Sequence, residues 1–308
     1  MKGVAVISLF WLAFGAAANA QSPRVADYRP VFELCRDAGG GQRLAIRAMT
    51  RGGAKHILSV DPQTLATRVE AAAGLSCAPT NDEAQKNTRF MRAVRSAGSE
   101  ITLASGVSRN AGLMHGSGSG VFVTGDLCPT TKPLDRGFVE LLARQGAKTP
   151  VALAISGNWL KRHGADFDWL RGLTSSGALD ITWVNHSTRH PYTRGVAETQ
   201  NYLMIPGSDL DAEIFETEQL LVEHGETPSV FFRFPGLVAD TALMEKLRAR
   251  HLIALGADAW LALTGRAQTG SIILTHPNGN EPYGLRIFAR LLEQGKLPKP
   301  FRPLNEAP

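Results

Sequence analysis

Residues 181–191 read Ile-Thr-Trp-Val-Asn-His-Ser-Thr-Arg-His-Pro, an apolar run that leads into two histidines and a proline. Ile181–Val184 has the composition of a short buried strand. His186 and His190 are four residues apart, so their side chains face the same way if the segment turns helical, which is ordinary spacing for a divalent metal. Two surface or core histidines would give the same pattern in isolation. The position between a buried strand and Pro191 favours a metal site.

Strand and helix patterns alternate on both sides of this run. The predicted strands are Val121–Thr124, Val151–Ile155, Ile181–Val184, Ser229–Phe232, Ile253–Leu255 and Ile272–Leu274. The predicted helices are Leu134–Gln145, Trp159–Ser175, Leu210–Glu223, Thr241–Arg250 and Leu285–Gln294. This alternation predicts a parallel sheet with helices outside it, either open or closed into a barrel. In such sheets, functional side chains gather at the carboxyl ends of the strands.

Several strand ends carry polar side chains that are capable of chemistry. Asp126 ends the first strand of this region, Arg233 follows a run of phenylalanines, and His276 follows the last strand. A buried guanidinium requires a carboxylate partner, for which Asp126 and Asp258 are the candidates. A purely structural salt bridge would meet the same requirement. A histidine at a strand end stands where a general acid would, although it can also be an ordinary satisfied polar residue.

In chain order, these stretches resemble the five motifs of the NodB-like polysaccharide deacetylases, the carbohydrate esterase family 4 type. The family's motifs read Thr-Phe-Asp-Asp-Gly-Pro, His-Ser/Thr-x-x-His-Pro, Arg-x-Pro-x-Gly, an Asp- and Trp-containing turn, and Leu-x-His after an apolar strand. The similar stretches here are Thr124–Pro129, His186–Pro191, Arg233–Gly236, Asp258 with Trp260, and Leu274–His276. The resemblance covers about residues 120–300, and its second motif is the most specific.

The resemblance implies an α/β fold, namely a distorted (β/α) barrel with an N-terminal extension. It also implies removal of acetyl groups from an N-acetylated glycan by hydrolysis of a non-peptide C–N bond. A divalent metal, usually zinc in the family, would activate water and polarise the acetyl carbonyl. By role, the implied residues are the metal ligands His186, His190 and Asp126, the catalytic base Asp126, the acid His276, the supporting pair Arg233 and Asp258, and the substrate-binding residues Trp260 and Pro235.

Leu127 departs from the family's first motif, in which a second aspartate binds the metal. Leucine cannot coordinate a cation, and two neutral imidazoles bind zinc weakly. Three outcomes stay open: Asp126 turns to the metal and another base acts, a different acid completes the site, or the metal is lost and the protein only binds carbohydrate. Cys128 is a soft ligand, but a cysteine that forms no disulfide in an exported chain is more often buried and inert. An amidase acting on a non-sugar substrate is a further alternative.

Met1–Ala20 has the layout of a secretory signal peptide, with Lys2, an apolar run and small residues at Ala18 and Ala20. An uncleaved N-terminal anchor is the alternative, but the run is short for a membrane span. We therefore expect a mature protein that begins near Gln21, has no membrane span, and is periplasmic or secreted.

The three cysteines agree with export. Cys35 and Cys77 lie in the same N-terminal stretch and are the preferred disulfide pair, which leaves Cys128 over. The chain has no Cys-x-x-Cys spacing, which argues against a thiolate zinc knuckle.

Charge and composition restrict the partners. The net charge of +5 comes from scattered Lys and Arg without the dense basic run and interleaved aromatics of a nucleic-acid groove. We expect an N-acetylated glycan as the partner and no nucleic acid. The predicted organisation is a signal peptide (1–20), an N-terminal extension or small domain (21–115), a deacetylase-like domain (116–300) and a C-terminal tail (301–308). Within the extension, strands are expected at Arg43–Met49 and His56–Val60, and helices at Pro62–Ala73 and Glu83–Ser96.

Overall fold

An antiparallel sheet precedes the barrel in the computed structural model, which describes residues 24–97 and 106–308. The predicted signal peptide lies outside the described residues. The strands of this N-terminal sheet are β1 (Val25–Arg36), β2 (Gln42–Arg51), β3 (Ala54–Val60), β4 (Thr67–Ala71) and β5 (Ser76–Pro79), in the spatial order β4-β3-β2-β1-β5. The strands predicted at Arg43–Met49 and His56–Val60 are confirmed as parts of β2 and β3.

The helix predicted over Pro62–Ala73 is wrong, because local hydrogen bonds turn the chain back into the sheet. The Asp61 carboxylate accepts hydrogen bonds from the backbone N–H groups of Gln63 and Thr64. Leu65 then adopts a left-handed φ of 61°, and β4 pairs along β3. Asp side chains favour such turns by bonding their own backbone two residues on.

The disulfide between Cys35 and Cys77 is confirmed. The two residues are directly opposite each other in the pairing of β1 with β5, and their sulfur atoms are bonded. The bridge therefore fixes β5, a four-residue edge strand, to its neighbour β1.

Two short helices replace the single helix expected over Glu83–Ser96. They are α1 (Asp82–Gln85) and α2 (Arg89–Ser96). The Thr88 hydroxyl accepts a hydrogen bond from the Met91 N–H, so Thr88 is the N-cap of a new helix. The apolar side of α2 is buried and includes Phe90, Met91 and Val94.

Seven parallel strands form the sheet of the barrel. They are β7 (Phe122–Leu127), β8 (Thr149–Ile155), β9 (Leu179–Asn185), β10 (Pro228–Phe232), β12 (Ile253–Ala254), β13 (Ala259–Trp260) and β14 (Ile272–Thr275). Their spatial order is β12-β10-β9-β8-β7-β14-β13, and a separate pair joins β6 (Val107–Arg109) to β11 (Val238–Asp240). Six of the seven strands were expected from apolar runs, and only β13 was not.

The two edge strands of this sheet are joined by only four residues, 255–258. The segment that contains Leu113 and Met114 runs along this link: Leu113 exchanges hydrogen bonds with Ala254 and Gly256, and the Met114 carbonyl accepts from the Asp258 N–H. At Gly112 a Cβ would lie 2.5 Å from the Ala254 backbone, so only glycine permits this approach. The predicted distorted barrel is confirmed.

Seven α-helices are described in this region; six lie between its strands and the last, α9, follows β14. They are α3 (Arg136–Ala143), α4 (Gly157–Arg162), α5 (Gly164–Ser175), α6 (Leu210–Glu223), α7 (Thr241–Arg248), α8 (Leu261–Thr264) and α9 (Pro282–Glu293). The helix expected over Trp159–Ser175 is interrupted at His163, where ψ is 40°. No helix in the described ranges has both the length and the apolar character needed to cross a membrane.

The N-terminal sheet and the barrel share a hydrophobic core. One cluster of buried side chains contains Ile46 and Leu58 of the sheet, Phe90 of α2, and Phe122 and Ile272 of the barrel. The C-terminal residues also pack against this body, since Leu304 belongs to the same cluster and the Arg89 guanidinium donates to the Pro308 carbonyl. Residues 24–97 are thus packed as part of one folded unit with the barrel.

A buried ion pair reinforces this junction. Arg47 of β2 donates to both carboxylate oxygens of Glu218 on α6, at 2.7 and 3.0 Å, and both side chains have no exposed surface. The Tyr28 hydroxyl donates to the same carboxylate at 2.9 Å. Burial and the Glu218 charge raise the pKa of Tyr28 well above its ordinary value, so this hydroxyl stays a hydrogen-bond donor.

We expect Glu218→Ala to lower the free energy of unfolding by ~3–5 kcal/mol, because it leaves the Arg47 charge buried without a carboxylate. Urea denaturation followed by circular dichroism measures this change. Glu216→Ala on the same helix is the control: the Glu216 side chain is 54% exposed and 3.9 Å from Lys161, and such surface pairs contribute ~0–1 kcal/mol. Equal losses in the two variants would contradict the role assigned to Glu218.

Candidate metal and hydrolytic site

Arg233 and Asp126 form a fully buried ion pair at the carboxyl end of the barrel. The Arg233 guanidinium lies 2.6 Å from Asp126 Oδ1 and also donates to Thr124 Oγ1 at 2.7 Å and to the Gly256 carbonyl at 2.9 Å. Both side chains are almost without exposed surface. The expectation that Arg233 pairs with one of two carboxylates is confirmed, and the partner is Asp126.

Asp126 is held as a carboxylate in spite of its burial. Burial alone would raise its pKa, but the charges of Arg233, His186 and His276 outweigh this and lower the pKa below its ordinary value. One oxygen is occupied by Arg233, and the other, Oδ2, lies 3.6 Å from His186 Nε2. The arrangement leaves an ionised oxygen facing the histidines, where it can accept a proton.

The segment from His186 to His190 is a loop, although its spacing suggested a helical turn. Ser187 and His190 have left-handed φ values of 63° and 50°. The Glu213 carboxylate accepts hydrogen bonds from the N–H groups of Thr188 and Arg189 at 2.9 and 2.8 Å, which holds the turn. The two imidazole rings meet nonetheless, with centroids 4.7 Å apart.

A hydrogen bond sets the orientation of His186. Its Nδ1 lies 2.8 Å from the Arg233 carbonyl and donates to it, so Nε2 faces the interior of the site as an acceptor. Burial lowers the pKa of His186, but the nearby Asp126 and Cys128 raise it above its ordinary value. This nitrogen is therefore in an electron-rich setting that suits either a proton or a cation.

Cys128 completes the group of candidate metal ligands, although the sequence analysis favoured a buried and inert cysteine. Its Sγ lies 3.5 Å from His186 Nε2, and ligand atoms of Cys128, His186 and His190 all lie within 4.8 Å of one another. Tetrahedral zinc with bonds of ~2.0–2.3 Å to nitrogen and sulfur needs ligand atoms roughly this far apart. Burial raises the pKa of the Cys128 thiol, but His190 and His186 bring it well below its ordinary value. These three residues fit a divalent metal.

Leu127 points away from the site. It is fully buried in the second large hydrophobic cluster, together with Phe138 and Trp159 of the helical layer. Successive side chains of a strand alternate between the two faces, so Asp126 and Cys128 share the inner face while Leu127 takes the outer one. Alternation along β7 was the sequence signal that could have identified Cys128. Asp126 lies beside the ligand group rather than in it.

His276 stands on the other side of Cys128, with Glu281 as its partner. Its Nδ1 lies 3.0 Å from Glu281 Oε2, and the Trp260 indole N–H donates to the same carboxylate at 2.9 Å. Burial alone would lower the pKa of His276, but hydrogen bonds to Cys128 and Glu281 and the charge of Asp126 raise it to about 10. The imidazole is therefore protonated at neutral pH and can donate a proton.

Asp258 is not part of this arrangement, so the pairing expected between Asp258 and Arg233 is wrong. Its carboxylate accepts from the Ser271 hydroxyl and the Ile272 N–H at 3.0 and 2.9 Å, and lies 2.8 Å from His115 Nδ1. These hydrogen bonds place the Asp258 carboxylate at the amino end of β14. Glu281 is the acid that sequence reasoning missed, and its place two residues before Tyr283 in a polar turn gave no signal.

The two residues expected to bind substrate occupy different settings. Trp260 is partly exposed beside His276, with ring centroids 5.4 Å apart, and borders the site. Pro235 is buried in the turn that follows Arg233. The next residue, Gly236, has a φ of 66°, and a Cβ there would lie 2.5 Å from the Tyr202 ring.

No family model matches the sequence. Among solved structures, a family 4 carbohydrate esterase from Bacillus anthracis is similar over 63% of this chain and 85% of its own, with 16% identity and a TM-score of 0.46. A family 4 carbohydrate esterase from Streptomyces lividans is similar over 57% of this chain and 90% of its own, with 20% identity and a TM-score of 0.40. A family 4 pseudoenzyme from Bacillus anthracis is similar over 59% and 64%, with 14% identity and a TM-score of 0.40.

Proposed function

We propose that this protein is an exported metal-dependent deacetylase that removes N-acetyl groups from an envelope or extracellular polysaccharide. One observation carries the proposal: three metal-ligating side chains, Cys128, His186 and His190, converge between an ionised Asp126 and a protonated His276. Hydrolysis of an amide needs a base for the attacking water and an acid for the departing nitrogen, and these two residues are suited to the two roles.

A divalent ion held by the three ligands would supply an activated water and a polarised acetyl carbonyl. Asp126 Oδ2 is the oxygen that accepts the proton of the attacking water, because Oδ1 is held by Arg233. His276 then donates its proton to the amine nitrogen as the C–N bond breaks. Glu281 keeps the imidazole oriented, since it accepts from Nδ1 and leaves Nε2 directed to the site.

The setting and substrate of the proposal have separate support. The signal-peptide pattern of Met1–Ala20 and the bridge between Cys35 and Cys77 support export, because disulfides persist in oxidising compartments. The five sequence motifs support an N-acetylated glycan. The alternative, a non-catalytic carbohydrate-binding protein, rested on Leu127, and the presence of Cys128 among the ligands favours catalysis instead.

The ligand set predicts that the wild-type protein, once a chelator has removed any bound metal, binds added zinc tightly. Cys128→Ala and His190→Ala are each expected to weaken zinc binding by ~10²-fold or more, since even the loss of outer-shell partners costs ~10–100-fold. Isothermal titration measures these affinities. In cobalt-loaded protein, sulfur coordination gives a near-ultraviolet thiolate charge-transfer band, and Cys128→Asp should lose this band while still binding the metal. Wild-type affinity in Cys128→Ala would contradict the role of the thiolate.

The acid and base assignments predict the effects of two substitutions on acetate release from N-acetylated chito-oligosaccharides. Asp126→Asn and His276→Gln should each lower kcat by ~10²–10⁴-fold, the usual contribution of a general acid or base. The zinc content should be unchanged in both variants. Asp258→Asn is the matched control, because Asp258 bonds elsewhere, and it should keep kcat within a few-fold of wild type. An equal loss of kcat in Asp258→Asn and Asp126→Asn would overturn the assignment.

Leu127→Asp tests whether the side chain of residue 127 faces the candidate site or the apolar layer beneath the helices. The substitution restores the aspartate of the family pattern, but it places a carboxylate in the apolar layer beneath the helices. We expect a loss of roughly 3–5 kcal/mol in unfolding free energy, as for other uncompensated buried charges, and no gain in zinc affinity. Denaturant unfolding and zinc titration measure the two quantities. A stable variant with tighter zinc binding would show that residue 127 faces the site.

A further inference from the structure

Helix α6 contacts both the N-terminal sheet and the loop of residues 186–190, which carries two candidate metal ligands and is called the ligand loop below. Glu213 and Thr217 are four residues apart, so they share one face of the helix. Glu218 follows Thr217 directly and lies roughly 100° further round the helix. All three side chains are buried. Two buried polar faces of one helix thus meet two different parts of the molecule.

The first face of α6 holds the ligand loop. Glu213 Oε2 accepts from the N–H groups of Thr188 and Arg189, and Oε1 accepts from Arg189 Nε at 2.6 Å. Thr217 Oγ1 donates to the Ser187 carbonyl at 3.0 Å. The three residues between the two histidines are therefore all hydrogen-bonded to this helix.

The second face of α6 holds the N-terminal sheet. Glu218 accepts two hydrogen bonds from Arg47 of β2. The Gln219 side chain donates to the Val25 carbonyl at 2.9 Å, and the Val25 N–H donates to Glu223 Oε1 at 3.3 Å. The sheet is thus bonded to the second half of the helix whose first turn carries the acceptor for the ligand loop.

The two histidines differ in what positions them. The His186 N–H donates to the Ile155 carbonyl at 3.0 Å and its Nδ1 to the Arg233 carbonyl, so strand ends of the barrel hold this residue. The His190 N–H donates to Ser187 Oγ at 3.1 Å, a contact within the ligand loop. His190 also has a left-handed φ of 50°, a conformation that persists where the surroundings over-determine it. The position of His190 therefore depends on how α6 holds the loop.

We infer that the N-terminal sheet acts through α6 to position His190 as a metal ligand, with Arg47 and Glu213 as the positioning residues. The inference rests on the proposed function and gives residues 24–97 a role in it. Ligands bind a metal tightly when their supporting contacts fix them in advance, and loss of such contacts costs ~10–100-fold in affinity. Arg47 fixes α6 against the sheet, and Glu213 fixes the ligand loop against α6. The loop then presents the His190 ring to the other two candidate ligands.

The first test is a double-mutant cycle of zinc affinity, measured by isothermal titration on the full chain after removal of any bound metal. Glu213→Ala removes the acceptor of three hydrogen bonds and should weaken zinc binding by ~10–100-fold. In a His190→Ala background the same substitution should change the affinity by less than about twofold, because the ligand that it positions is already absent. Glu213→Gln keeps an acceptor oxygen for the backbone N–H groups and should restore most of the affinity.

The second test breaks the contact between the sheet and α6 without leaving a buried charge. Arg47→Met/Glu218→Leu replaces the ion pair by apolar side chains, an exchange that often keeps or raises stability, so this variant should stay folded. Its zinc affinity should nevertheless fall by about tenfold, and the fall should disappear in the His190→Ala background. Glu216→Ala is the control on the same helix, because that side chain is 54% exposed, and it should keep wild-type zinc affinity.

Wild-type zinc affinity in Glu213→Ala or in the ion-pair variant would overturn the inference. Equal losses with and without His190 would also overturn it, because they would show a general effect on the fold. If Glu213→Ala does not fold, the ion-pair variant decides alone.

Acetate release measured in parallel separates this inference from the proposed reaction. The expected cycle without acetate release would sink the deacetylase and keep the role of the sheet, and acetate release with losses that do not depend on His190 would do the reverse. A wild-type protein that binds no zinc would end both.

Discussion

The burial of the Asp126 carboxylate is the constraint on which the rest of the site depends. A charge inside the barrel is tolerated only with a partner, and Arg233 supplies one from the end of β10. The same guanidinium reaches Thr124 on β7 and Gly256 in the link between the edge strands. The backbone carbonyl of Arg233 also accepts a hydrogen bond from His186 Nδ1, which orients the ring so that Nε2 faces Cys128. One buried charge thus fixes the ends of three chain segments and the orientation of His186, a candidate metal ligand.

The sequence predicted the barrel well because its strands are short apolar runs that need no long-range information. It also predicted that residues at the carboxyl ends of those strands would meet, which brings Asp126, His186, Arg233 and His276 together. It failed where local bonds compete with periodicity. At Asp61, hydrogen bonds between the side chain and the backbone form a turn, and part of the segment predicted as a helix is strand β4 instead. Glu213 likewise holds the loop after His186 in a non-helical conformation. The long strand β1 was missed because its polar residues and Pro30 gave no alternating pattern.

The identity of the site residues was harder to predict than their location. Aligning the first motif residue by residue led to Leu127, whereas the alternation of side chains along β7 selects Cys128. Glu281 comes to His276 from the start of the next helix, a contact that no spacing rule indicates. A thiolate with two imidazoles is a softer set of ligands than a carboxylate with two imidazoles. Such a set favours zinc over magnesium, calcium or manganese, so a cysteine in the candidate ligand group restricts which cations could bind there.

The shared core of the N-terminal sheet and the barrel has a consequence for how the protein loses its structure. Elements that bury their apolar side chains in one cluster open together rather than as separate units. We therefore expect the disulfide-bonded sheet and the candidate site to unfold in one cooperative transition. Reduction of Cys35 and Cys77 acts on the unfolded chain as well as on the sheet, so it lowers the stability of the whole body. In a reducing compartment the candidate site would have a shorter lifetime, although none of the site residues described above is itself bridged.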